Sequence, residues 1–127
     1  MQNQKSALGL DGNITALLGY IVGIVALILI FIEKDNKFVR FHALQSVLWW
    51  VGCWVGFFVI WIVVIILGIV FSMISSTLGS IVWGLSALLF LVLFLAMVGG
   101  VIFAAIKAYG GAEFKLPIVG NLAQKWV

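Results

Sequence analysis

Of 127 residues, 65% are hydrophobic and 9% charged, against roughly 45–50% and about 25% in an average soluble domain. Seven Lys and Arg and four Asp and Glu leave two charge-free runs, 12–32 and 41–106. A soluble domain is excluded, and so is a nucleic-acid reader, because cations scattered over separate segments make no phosphate-tracking stripe.

Crossing a hydrocarbon core about 30 Å thick takes about 20 apolar residues in a helix. Three segments qualify, 14–32, 43–71 and 81–106, and they are too long and too little alternating for barrel strands. The expected fold is an all-α integral membrane bundle of three transmembrane helices, with 1–127 a single membrane domain. The first run lacks the basic flank and small-x-small site of a cleaved signal peptide and reads as an anchor. Between the first two spans, Glu33-Lys34-Asp35-Asn36-Lys37 forms a turn with Asp35 or Asn36 as the next N-cap. The hydroxyl-rich and glycine-containing stretch 72–80 reads as an uncharged hairpin loop. The alternative is a fourth span cut from the second run.

After 106, Lys107 suits a helix C-terminus and Gly110-Gly111 an end signal. The tail 110–127 reads as interfacial, with Pro117 near the first turn of a short helix. Ile118, Leu122 and Trp126 lie on lipid, while Asn121 and Lys125 face water. With three spans, only Lys5 lies on one side, whereas Lys34, Lys37, Arg40, Lys107, Lys115 and Lys125 lie on the other. Positively charged loops stay cytoplasmic. The expectation is therefore an inner (plasma) membrane protein with its N-terminus outside and its C-terminus inside.

Small residues at four-residue spacing let membrane helices approach closely. Each span has such a pattern: Gly19 and Gly23, Gly52 and Gly56, and Ala96, Gly100 and Ala104. They predict intrachain packing or, alternatively, an oligomer contact. Trp50, Trp54 and Trp61 lie too deep for an interfacial belt and read as packing or lipid contact, or as an aromatic-lined groove. The lone Cys53 reads as an inert small hydrophobe.

Polar groups run on past the boundary into the second span. Arg40 is followed by His42, Gln45 and Ser46, whose i, i+3, i+4 spacing puts them on one helix face. Intramembrane polar groups face the bundle interior or a cavity. Glu33, Lys107 and Tyr109 are the candidate partners. The patch predicts an interhelical clamp with Arg40 snorkelling to phosphate, or a hydrophilic vestibule, or a His proton switch. No His or Cys pair has metal-ligand spacing, and no phosphate-binding glycine loop is present. The expectation is a protein that is not an enzyme and holds no metal or cofactor.

The run Glu33-Lys34-Asp35-Asn36-Lys37-Phe38-Val39-Arg40-Phe41-His42-Ala43-Leu44-Gln45-Ser46, with the tail Tyr109-Gly110-Gly111-Ala112-Glu113-Phe114-Lys115-Leu116-Pro117-Ile118-Val119-Gly120, resembles small prokaryotic membrane proteins grouped with the Tic-type chloroplast import component. The resemblance covers the chain from about Leu8 to Trp126 and implies a helical membrane protein with a part in protein translocation. The leading expectation is a non-enzymatic subunit that contacts membrane lipid, a polypeptide substrate or a protein partner. A homo-oligomeric solute or ion channel and a structural, lipid-organising subunit are the alternatives.

Overall fold

A long apolar run without proline favours one unbroken helix, yet the first run folds as two. The computed structural model describes residues 3–127, and its helices are α1 (Gly12–Ile21), α2 (Gly23–Ile32), α3 (Lys37–Ile74), α4 (Ser76–Tyr109) and α5 (Val119–Lys125). Val22 leaves helical geometry (φ −117°, ψ 96°), and α2 folds back on α1. A Cβ added at Gly19 would sit 3.7 Å from that of Ala26, so the missing side chain allows the backbones to meet.

The open ends of this hairpin are tied together. The Glu33 carboxylate accepts the Ala7 N–H at 2.7 Å, and Asn36 Nδ2 donates to the Gln4 carbonyl at 3.2 Å. Ser6 and Thr15 share a hydroxyl hydrogen bond of 2.7 Å, and Lys5 pairs with Asp11. The single helix expected over 14–32 is thus corrected to a hairpin. Each ten-residue arm is about 15 Å long at 1.5 Å per residue.

α3 begins at an Asn36 cap, not at Asp35: Asn36 Oδ1 accepts the Val39 N–H at 3.3 Å. At 38 and 34 residues, α3 and α4 outrun the expected spans and reach about 57 and 51 Å. Both are long and apolar enough to cross a membrane. The expected loop 72–80 shrinks to a turn at Ser75. Its Oγ accepts the amides of Thr77 (3.2 Å) and Leu78 (3.4 Å), so one hydroxyl both ends the turn and caps the next helix.

α4 ends as its glycines predict. The Gly111 N–H bonds the Ala108 carbonyl and the Ala112 N–H the Lys107 carbonyl, the paired bonds of a Schellman motif. Gly111 takes the left-handed position at φ 84°, where a Cβ would clash with its own carbonyl. The tail then runs without regular structure to Leu116, and Pro117 precedes α5 instead of lying in its first turn.

Two compact units result. One comprises the chain up to Val51 together with Val98–Val127. Its core packs Ala16, Tyr20, Ala26, Leu29, Val39 and Ala43 against Val101, Ala104, Ala108 and Leu116, and Ala123 of α5 joins Phe41 and Leu44. The other unit, Gly52–Met97, is the α3–α4 turn and its flanking helix. There Gly68 lies against the Trp83 indole and Gly79 against Ser72, with no room for a Cβ at either. Most of its large apolar side chains are exposed, as lipid-facing residues are.

Candidate functional site

About two turns of α3 carry the polar patch, and the hairpin and tail converge on it. His42, Gln45 and Ser46 are all fully buried, on the one face their spacing dictates. Gln45 Nε2 donates to Tyr20 Oη at 2.7 Å and to the Phe114 carbonyl at 2.9 Å, and its Oε1 accepts the Leu116 N–H at 2.8 Å. Bonding the C=O of one residue and the N–H two further on is what a neighbouring strand would do. Here one side chain does it, and holds the tail. Gly120 closes over the same amide, since a Cβ there would fall 2.7 Å from Gln45 Oε1.

The hydroxyl of Tyr20 relays the pattern. It accepts from Gln45 Nε2 and shares a hydrogen bond of 2.9 Å with His42 Nδ1, the direction of which follows the imidazole tautomer. The imidazole Nε2 meets no partner of hydrogen-bond geometry among the described residues. The rings of Tyr20, Phe38 and Phe41 stand edge-on around the imidazole at 5.6, 4.5 and 5.0 Å. Ser46 completes the face by donating to the Gly19 carbonyl at 2.9 Å.

One turn earlier, Arg40 Nη1 donates to the carbonyls of Ile30 (3.2 Å) and Glu33 (3.0 Å), and Nε reaches the Trp126 carbonyl at 3.4 Å. The first two are carbonyls that the end of α2 leaves unpaired, and a cation there also suits the helix dipole. Glu33 is buried (2% exposed) with its carboxylate turned onto the amides of Ala7 (2.7 Å) and Asn36 (3.0 Å). The Glu33 side chain therefore anchors the hairpin's base and does not meet Gln45.

Lys107 and Tyr109, expected in the patch, do not join it. Lys107 Nζ lies 5.3 Å over the Phe103 ring, and the Tyr109 side chain is exposed, only its carbonyl accepting from Asn13 at 3.1 Å. Both stand in the last turn of α4 before the Schellman stop, on its exposed side. The small-residue pattern is likewise divided. Gly19 meets Ala26, Gly100 meets the Trp49 indole (2.7 Å from an added Cβ), and Ala104 is buried. Gly23, Gly52 and Gly56 have open space where a Cβ would stand, and Ala96 is exposed.

Tyr20 was missed by motif spacing, although a hydroxyl-bearing ring deep in an apolar run is a signal, because such a group needs a partner. Nothing local marks the Phe114 carbonyl and Leu116 amide, which are backbone. In the second unit Trp54, Phe57, Phe58, Trp61 and Phe90 line an open groove of about 280 Å³.

The profile of the MamF/MmsF family, described as a magnetosome magnetite crystal formation protein family, matches residues 5–123. A UPF0132 membrane protein of Methanocaldococcus jannaschii is 37% identical over 123 residues, covering 96% of this chain and 94% of its own length. A second from that organism is 31% identical, covering 94% of this chain and 73% of its own. One from Archaeoglobus fulgidus is 29% identical, covering 91% and 94%. No solved structure matches. These findings overturn the resemblance to the Tic-type import component. Within the run Glu33 to Ser46 that carried it together with the tail, Arg40 to Ser46 tie hairpin, α3 and tail to one another.

Proposed function

Given that the chain belongs to the MamF/MmsF family of membrane proteins, we propose that it is a non-enzymatic, multi-pass membrane subunit of the inner (plasma) membrane. It crosses the bilayer twice, through α3 and α4, with the α1–α2 hairpin entering and leaving on one side. The observation that carries this reading is the Glu33 to Ala7 hydrogen bond, which ties the base of the hairpin to the segment before it. With both arms on one side, Lys5 joins Lys34, Lys37, Arg40, Lys107, Lys115 and Lys125, so all seven cations fall on one face and none at the Ser75 turn. Three crossings would leave Lys5 opposite. The positive-inside bias favours two crossings, with the Lys5 segment cytoplasmic. Ten-residue arms of about 15 Å reach only half of a core about 30 Å thick. Non-helical backbone at that depth needs its polar groups met within the protein, and although Ile21, Val22 and Ile24 are exposed, the Val22 N–H bonds the Leu18 carbonyl and the Val22 carbonyl accepts from Val25.

The polar face supports an architectural role. Both Gln45 donors and its oxygen are engaged internally, which leaves little for a solute path or vestibule to use. The family's description concerns magnetite, but among the described residues no three His, Cys, Asp or Glu side chains converge. Asp11 pairs with Lys5, and Glu33 faces inward. We therefore assign the chain to lipid and protein contact within the membrane, with a partner subunit or a second copy on its exposed helix faces.

Single cysteines at Lys5, Lys37, Ser76 and Gln124, in a Cys53→Ala background, test the topology. An impermeant thiol reagent applied outside intact cells labels position 76 alone. Labelling at 5 as well would restore three crossings. Photo-cross-linking from Phe58 tests the subunit role, with a recurrent adduct to one membrane protein or to a second copy expected. Adducts to many unrelated polypeptides in transit would overturn it.

A further inference from the structure

Ile118 has the least comfortable backbone among the described residues. Its φ of 65° and ψ of −59°, with the Val119 N–H bonded to the Pro117 carbonyl at 2.7 Å, make a γ-turn of the strained hand. A β-branched side chain is disfavoured there. Ile118 is nonetheless 78% exposed, so its side chain gains little packing within the chain to offset the strain. What the turn achieves is to aim an apolar side chain outward.

The residues that follow extend that surface. Gly120 and Ala123 pack α5 inward, while Leu122 and Trp126, four apart and so on one face, are exposed. Asn121, Gln124 and Lys125 occupy the rest of the exposed surface. This segment lies where α2 ends, α3 begins and α4 stops, the level at which a membrane helix meets headgroups. Exposed Lys34, Lys37, Lys115 and Lys125 belong to the same unit.

We propose that Ile118, Leu122 and Trp126 form a wedge seated in the headgroup region of a bilayer containing anionic lipid, with the surrounding lysines on its phosphates. Indole at that depth and cations at an anionic surface are both favourable, and burial of Ile118 in acyl chains supplies the contact that the γ-turn lacks in the protein. The inference rests on α3 and α4 spanning the membrane, but not on which side is cytoplasmic. A reversed orientation would therefore leave it standing.

The test uses the full chain with Cys53→Ala, reconstituted in phosphatidylcholine vesicles with and without phosphatidylglycerol. An environment-sensitive fluorophore is placed at Leu122→Cys or Asn121→Cys. Brominated lipid quenches the label at 122 severalfold more than that at 121, and aqueous iodide shows the reverse. Phosphatidylglycerol deepens the contrast and added salt reduces it. Ile118→Gly, which relieves the strained φ, keeps the protein folded but weakens bromolipid quenching at 122. Trp126→Gln does the same from the other end. Equal iodide quenching at 121 and 122, or a Gly variant with unchanged lipid contact, would overturn the wedge. Indifference to phosphatidylglycerol and salt would overturn its preference for anionic lipid.

Discussion

Replacing Gln45 by Leu keeps the volume roughly constant and removes three hydrogen bonds, to Tyr20, Phe114 and Leu116. Side-chain hydrogen bonds in membrane proteins average about 0.6 kcal/mol, so the three together contribute about 2 kcal/mol if the freed groups find water. The Leu116 amide lies under a residue that is only 4% exposed, and a buried backbone group without a partner costs about 1–3 kcal/mol. If the tail stays seated over the substituted side chain, two such groups raise the loss to about 5 kcal/mol. Thermal or denaturant unfolding in detergent measures it, and a double-mutant cycle with the tail removed after Gly111 assigns it. In the shortened chain two of the three partners are gone, so the same substitution costs less than about 1 kcal/mol. An equal cost in both backgrounds would refute the clamp. Gln45→Glu separates bonding from size: it keeps the acceptor for Leu116 but turns a carboxylate oxygen toward the Phe114 carbonyl, and it destabilises at least as much as the Leu replacement.

Three further outcomes follow from the same contacts. Gly100→Ala drives a Cβ to 2.7 Å from the Trp49 ring and costs about 1–3 kcal/mol in the same unfolding assay. Gly52→Ala meets open space and is neutral or stabilising by up to about 1 kcal/mol. Asn36→Ala loses both the cap on Val39 and the bond to Gln4. It lowers stability by about 1–2 kcal/mol, and hydrogen exchange rises at the first turn of α3.

The division between legible and illegible follows the range of the interactions. His42, Gln45 and Ser46 could be placed on one buried face because helical spacing is local and a polar group in an apolar run needs a partner. The identity of those partners could not be read. Glu33, Lys107 and Tyr109 were reasonable candidates by charge and position, but the Gln45 amide pairs with a tyrosine 25 residues earlier and with backbone 69 and 71 residues later. Backbone acceptors leave no mark in a sequence. The glycine spacing shows the same limit. Gly19 and Gly100 lie at crossings, while Gly52 and Gly56, with the same pattern, face open space, because spacing records which residues share a face and not what the face meets.

Composition alone determined that the chain lives in a membrane and is helical, since in lipid only a helix or a closed barrel satisfies its own backbone and the apolar runs are unalternating. A cap at Asp35 or Asn36, a stop at Gly110-Gly111 and the apolar stripe of the tail were also local enough to read, and the structure chose Asn36 and Gly111. Tertiary structure decided the course of the first apolar run. Continuous in sequence, that run breaks at Val22 because the Glu33 and Asn36 bonds to the Ala7 and Gln4 backbone and the Gly19 approach to Ala26 require its two ends to meet. A helix needs only its own neighbours to form, whereas a fold-back is selected by contacts that exist only after the chain has folded.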